Sequence, residues 1–378
     1  MPASGAPAAG LGQRGSGAGL VVLDAGELPV DDQALAAAIG AILDGDATAF
    51  AHDRNSLCYR VPFPGPGAAS GSAIVKAPRP GPQRTNDDAT FAWEAAILAQ
   101  LPAVGIASGP ALLARVVAQG IHFLVTTELP GRHPDPRVHP LDRRQLLGVL
   151  DGLYAMDCRF LMHYDLKPAN VLIDGDRAGF IDFEFARFVD PFGAYASAAA
   201  TFCEDFNVSG NPLFPARSNV ANFEFRALHR HLAELAATHS LGAADALHAD
   251  WLRGRSVYHR RMSGFLAELS ETSAGRFAAG SGIDEDGARR RLLAAAAHED
   301  LLAMLLAEPP ASVVRIERLL MAFRCAVFER HDDEVRRLRD AAVAEIRDAA
   351  STARGLPDAY TAAVARTLEL VGRSVHPR

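Results

Sequence analysis

The chain has 378 residues, 49% of them hydrophobic and 22% charged, which supplies apolar material for a core and excludes wholesale disorder. One large domain or two smaller ones are expected at this length, because single cores stop growing near about 250–300 residues. A formal net charge of -7, from 38 basic and 45 acidic residues, gives no general attraction to phosphate polymers, so no nucleic-acid partner is expected.

In chain order, residues 2–19 are small and flexible with one charge at Arg14, and they read as a disordered tail that the domain division extends to residue 29. The tail has no apolar segment behind a basic start, and nowhere does the chain hold about 18 uncharged apolar residues in a row. The expectation is a cytoplasmic protein with no transmembrane segment. The alternative is export through the flexible tail, and peripheral membrane contact stays open. Residues 30–46 have an acidic start and apolar helical spacing, which predicts a helix. Strands at 57–61 (LCYRV) and 72–76 (SAIVK) flank a Pro- and Gly-rich loop. Asp87 and Asp88 cap a helical run to Leu101, and ALLARVV (111–117) and IHFLVTTEL (121–129) form a hairpin around AQG. Residues 30–129 therefore form one lobe, a small antiparallel sheet with one helix.

After the Pro-rich HPDPRVHP the pattern turns helical, and residues 130–378 form a second, larger lobe. An amphipathic helix is predicted over 141–157, then two short strands, NVLID and GFIDF, around a turn at Asp174 and Gly175. Helical runs follow near 222–239, 245–270, 286–307, 310–331, 333–350 and 358–373. The fold class is α+β with two lobes.

Four cysteines, Cys58, Cys158, Cys203 and Cys325, lie far apart without metal-ligand spacing, which implies a reduced compartment and no structural zinc. Among the 38 basic residues only Lys76 and Lys167 are lysine, so the other 36 are arginine. A lysine is a compact point charge and an arginine a broad planar fork. Where generic positive charge is always arginine, the two lysines become the first candidates for chemistry.

The segment 163–187 reads HYDLKPANVLIDGDRAGFIDFEFAR. Here His163, Asp165, Leu166, Lys167, Pro168 and Asn170 resemble the catalytic loop of the protein-kinase-like superfamily, and Asp182-Phe183-Glu184 resembles its metal-binding DFG segment. The resemblance implies a two-lobed protein-kinase-like fold and an enzyme that transfers phosphate from ATP with Mg2+. It assigns Asp165 to the acceptor hydroxyl proton, Lys167 to the transferring phosphoryl group, Asn170 and Asp182 to magnesium, and His163 to support. Lys76 at a strand end and Glu94 on the following helix resemble the lysine and glutamate that hold the α- and β-phosphates. Phe91, Glu94 and Leu98 share one helix face, so the carboxylate needs a cation. Glu128 and Leu129 would contact adenine through their backbone.

The resemblance covers residues 46–187 by motif. There is no glycine-rich loop between the first two strands; AHDRNS stands there, offering Arg54, Asn55 and Ser56 to phosphate. Tyr164 replaces the arginine of HRD, Glu184 replaces the glycine of DFG, and no APE follows. The missing peptide platform points to the branches acting on small molecules or glycans, similar to aminoglycoside phosphotransferases and lipopolysaccharide-core kinases. LKPAN is closer to Ser/Thr protein kinases, so a Ser/Thr protein kinase with an atypical activation segment, such as an exported effector, is the first alternative. A pseudokinase acting as a nucleotide-binding or scaffolding module is the second. For the acceptor, Glu204, Asp205 and Asn207 offer hydrogen bonds to a polyol or amine, and Arg253, Arg255, Arg260 and Arg261 offer a grip on an acidic glycan or anionic lipid.

Overall fold

The computed structural model describes residues 14–16, 20–25, 32–52, 56–64, 70–79, 88–188, 219–281, 284–328 and 332–350, and residues 356–368 in part. The chain divides into two compact units. The first holds residues 1–131 and 179–186, the second residues 132–178 and 187–378.

The first unit is a seven-stranded antiparallel sheet with two helices. In chain order it runs β1 (Arg14–Ser16), β2 (Leu20–Ala25), α1 (Asp32–Leu43), β3 (Ala51–His52), β4 (Ser56–Pro64), β5 (Ser70–Pro78), α2 (Asp88–Gln100), β6 (Leu112–Ala118) and β7 (Ile121–Thr127). The strand order across the sheet is β1-β2-β6-β7-β5-β4-β3. Side chains of a strand alternate between faces, and both faces here are covered. Ala73, Val75, Phe123 and Val125 join Leu35 and Ile39 of α1 in one buried cluster. Lys76 and Leu124, paired across β5 and β7, face the other way, where Lys76 meets α2. Covering on both sides explains why ALLARVV and IHFLVTT read as nearly continuous apolar runs.

This corrects the reading of residues 1–29 as a disordered tail. The segment LVVLDA pairs along β6 from Leu20↔Ala118 to Ala25↔Ala114, and Val22 is buried. Without β2, β6 would be an edge strand with unpaired backbone groups. The Gly- and Ala-rich composition just before Leu20 hid a strand that pairing over a distance supplies.

The second unit begins with α3 (Arg143–Asp157), where a capping box fixes the start: Asp142 accepts from the Gln145 N–H and Gln145 accepts from the Asp142 N–H. Next come β8 (Leu161–Met162), β9 (Val171–Asp174), β10 (Arg177–Phe180) and β11 (Arg187–Phe188). Gly175 takes the left-handed conformation (φ +60°) that the turn after β9 requires. The remaining described elements are helical: α4 (Asn219–Phe223), a π-helical turn (Glu224–Leu228), α5 (His229–Thr238), α6 (Leu241–Thr272), α7 (Ala274–Ser281), α8 (Glu285–Ala307), α9 (Ala311–Phe328) and α10 (Asp332–Ala350). The short α7 lies between two predicted runs. No described helix is long and apolar enough to cross a membrane.

The arginine run on α6 also needs correction. Leu247, Trp251, Arg255, Tyr258, Met262 and Leu266 form its buried stripe, so Arg255 belongs to the interior. There it pairs with Glu317 at 2.7 Å and Glu224 at 3.0 Å. Arg253 pairs with Asp250 at 2.6 Å, and Arg261 pairs with Asp151 and lies over the Tyr154 ring. These residues do not form one open basic grip. Glu204, Asp205, Asn207 and Cys203 lie outside the described residues.

A close approach in the second unit gives a test of packing. A Cβ on Gly148 of α3 would fall on the backbone carbonyl oxygen of Asp176, which cannot swing aside as a side-chain tip could. Gly148→Ala is expected to lower stability by about 1–3 kcal/mol despite the better helix propensity of alanine. Urea unfolding would measure it, and an unchanged or higher midpoint would refute the close packing of that turn on α3.

Candidate active site

Among the described residues the candidate side chains fall into two clusters, one in each unit. The first is built where β5, α2 and residues 180–186 of the first unit meet. Strand alternation turns Val75 into the α1 core and Lys76 to the opposite face, where the ammonium is 8% exposed. Its Nζ donates to Glu94 Oε2 at 2.9 Å and to Asp182 Oδ1 at 2.6 Å, and Glu184 Oε2 lies 3.9 Å away. Burial opposes the charged ammonium, but Glu94, Asp182 and Glu184 outweigh it and hold the Lys76 pKa well above its ordinary value. Three carboxylates thus surround this ammonium.

The local chain explains this geometry. Glu94 shares its face with buried Phe91 and Leu98, and its second oxygen accepts the Phe183 N–H at 3.1 Å. Phe183 is fully buried, and its ring packs where Gly109 has no Cβ. Trp93 Nε1 donates to the Ala186 carbonyl at 2.8 Å and fixes the far end of the segment. Just before these anchors Asp182 takes a left-handed backbone (φ 67°), which a non-glycine residue adopts only when its surroundings impose it.

The second cluster belongs to the second unit, in the loop after β8. Asp165 is buried. Its Oδ2 accepts from Asn170 Nδ2 at 2.9 Å and lies 3.0 Å from Lys167 Nζ. Asn170 Nδ2 also donates to the Asp165 carbonyl at 2.8 Å, which clamps the loop onto itself. Asp165 Oδ1 accepts from Arg226 Nη1, which donates to the Tyr164 carbonyl as well. His163 is fully buried, and its Nδ1 accepts the Asp165 N–H at 3.4 Å.

Helix α4 supports this loop from below. Asn219 Oδ1 accepts the His163 N–H at 2.9 Å, and Asn222 Oδ1 accepts the Leu166 N–H at 3.0 Å. Asn219 is held in turn by Asp157, whose Oδ1 accepts from its Nδ2 at 2.7 Å, while Asp157 Oδ2 accepts from Tyr258 OH at 2.7 Å. Asp157, Asn219, Asn222 and Arg226 had no sequence signal, because each meets the loop from a helix with no motif of its own.

Of the remaining predicted residues, Arg54 and Asn55 lie outside the described residues. Ser56 opens β4 opposite Pro78 and is 1% exposed, so it does not stand open to a phosphate, which corrects its assignment. The Glu128 N–H donates to the Ser72 carbonyl at 3.1 Å and is engaged in the sheet. Its carboxylate takes hydrogen bonds from Ser72 Oγ and from Arg60 Nε, the latter at 2.8 Å; burial opposes, but these bonds hold its pKa below the usual range. Leu129 packs on Gly179 within the first unit.

Residues 157–229 match the model of the phosphotransferase enzyme family, APH. A search of curated proteins gave no match. The matched stretch holds Asp165, Lys167, Asn170 and Asp182, and it supports a phosphotransferase of the protein-kinase-like superfamily.

Asp157 gives a pH test of the loop's support. Burial pushes its pKa up to about 7, against which the hydrogen bonds from Tyr258 and Asn219 pull down. Between about pH 4 and 7 the unfolded chain loses this proton while the folded chain keeps it, so the contribution to stability falls as pH rises and levels off above about 7. His231 and His248, each lowered to about 4 by burial, act in the opposite direction below about pH 6.5. The comparison with Asp157→Asn isolates the carboxyl. The variant is expected to gain on wild type between pH 5 and pH 8 in unfolding free energy from urea titration, by at most roughly 2–3 kcal/mol. Parallel profiles would remove Asp157 as the titrating group.

Proposed function

We propose that this protein transfers the γ-phosphoryl group of Mg-ATP to a hydroxyl of a small molecule or glycan. The observation that carries the reading is the pair of clusters. A buried lysine is paired to a helix glutamate and to Asp182, and a buried aspartate is held by an asparagine and a lysine from its own loop. Phosphoryl transfer asks for this kind of positioning and charge neutralisation and little covalent chemistry from the protein.

In the proposed reaction Lys76 holds the α- and β-phosphates, with Glu94 fixing its ammonium. The carbonyl of Glu128 and the main chain of Leu129 contact adenine. Asp182 and Asn170 would hold magnesium, a hard cation suited to carboxylate and amide oxygens; the oxygen donors gathered at Asp182, Glu184 and Glu94 support this fit. The metal supplies neutralisation of phosphate charge when bound. Asp165 accepts the proton of the acceptor hydroxyl, that oxygen forms the new bond to the γ-phosphorus, and the bond to the β–γ bridging oxygen breaks to release ADP. Lys167 places a compact positive charge beside the transferring group. The absent APE segment supports a small-molecule or glycan acceptor over a peptide.

The test is transfer of label from γ-labelled ATP into a cell extract, separated into protein, lipid-glycan and small soluble fractions. Label is expected in a small-molecule or glycan fraction, and Asp165→Ala should reduce its rate by roughly 10²–10⁴-fold. Label confined to protein would replace the acceptor assignment, and no Asp165-dependent label would overturn the enzyme reading. Separately, Asp182→Ala should abolish magnesium-dependent nucleotide binding in calorimetry. Unchanged binding would remove Asp182 as the metal ligand.

A further inference from the structure

The residue that contacts the Asp165 carboxylate from outside its own loop is Arg226, and it stands on an irregular piece of backbone. The turn Glu224–Leu228 is π-helical, set between the α-helical Asn219–Phe223 and His229–Thr238. Such turns are rare, appear as single-turn insertions and frequently accompany functional sites. Here the turn carries two charged residues with different partners. Arg226 reaches Asp165 Oδ1 and the Tyr164 carbonyl, the latter at 3.0 Å. Glu224 is buried, accepts from Trp251 Nε1 at 2.8 Å, and pairs with Arg255 at 3.0 Å and Arg324 at 3.1 Å.

A buried carboxylate with two arginines is costly to displace, so Glu224 fixes the turn against α6 and α9. The guanidinium two residues on is thereby delivered to the loop at a set position. Its bonds fall on the two atoms that decide how Asp165 points. One is the carboxylate oxygen not taken by Lys167 and Asn170. The other is the carbonyl of Tyr164, a non-glycine residue held at φ 62°. Left-handed backbone at a tyrosine costs roughly 1–3 kcal/mol unless the surroundings impose it; Arg226 and Asn222 Nδ2 both grip that carbonyl.

We propose that Arg226 is a positioning residue for the transfer reaction: it fixes the Asp165 carboxylate and the strained Tyr164 peptide in the orientation that presents Asp165 to the acceptor. This rests on the proposed phosphotransferase reading, with Asp165 as the acceptor of the hydroxyl proton. Arg226 touches neither substrate and acts through Asp165.

The test uses the full chain with Arg226→Ala and Arg226→Lys. Two readouts are made, steady-state kinetics on the acceptor found by label transfer and hydrogen exchange followed by mass spectrometry. Arg226→Ala should lower kcat by roughly 10- to 100-fold, the loss expected for a charge-assisted contact, with the KM for ATP unchanged within about twofold. Millimolar guanidinium should restore part of kcat, and Arg226→Lys should fall between. Amides of residues 161–170 should exchange faster in Arg226→Ala while those of α3 and α6 do not change. A kcat within threefold of wild type, or faster exchange spread evenly over the unit with no recovery in guanidinium, would overturn the proposal. Should wild type transfer no label, the phosphotransferase reading fails and a positioning role in transfer falls with it, whereas transfer by wild type with unchanged exchange of 161–170 in Arg226→Ala overturns the positioning role alone.

Discussion

The first unit depends on the cost of burying a single ammonium. Lys76 is 8% exposed, and a cation in that setting persists only with paired and hydrogen-bonded anions. Glu94 arrives from α2 and Asp182 and Glu184 from the returning segment 179–186, so three distant stretches must be in place before the charge is satisfied. The same demand holds the backbone strain at Asp182, because Phe183 is fixed by its N–H bond to Glu94 and by its buried ring.

The second unit solves the same problem with arginine. Glu224 and Glu317 are buried with Arg255 and Arg324, and Tyr360 OH donates to Glu317 at 2.9 Å. Planar guanidinium forks can satisfy two carboxylates at once, which an ammonium does less well. Among the described residues, the buried shared pairs use arginine, and the two lysines stand beside Asp182 and Asp165. Buried pairs of this kind contribute little net stability over apolar residues, and their effect is to fix geometry. In this unit the geometry fixed is that of the π-helical turn and of the loop it faces.

What was legible in the sequence was local or held to a spacing. Four strands of the sheet, β4 to β7, followed from composition and turns, and the helices of the second unit from apolar period and punctuation. Lys76, Asp165, Lys167, Asn170 and Asp182 stood out because motif, residue scarcity and element type agreed. Asn219, Asn222 and Arg226 did not, since each acts across more than fifty residues from a helix face with no pattern beyond amphipathicity. Arg255 misled for a related reason: a run of arginines reads as an open basic grip unless its stripe with Trp251, Tyr258 and Met262 is counted first. The strand β2 was hidden because the residues before it are small and its partner, β6, lies about ninety positions away.

Glu184 shows how a departure from a motif can be neutral in backbone and consequential in charge. A glycine is needed only where the chain takes a conformation other residues resist. In this segment the left-handed φ falls on Asp182, and Glu184 lies inside the 3-10 turn Phe183–Phe185, where its own side chain imposes no such strain. The turn carries its carboxylate to within 3.9 Å of Lys76 and buries it. Lys76 thus faces three carboxylates, of which Glu184 is the one that the departure from glycine adds, while the left-handed conformation stays at Asp182.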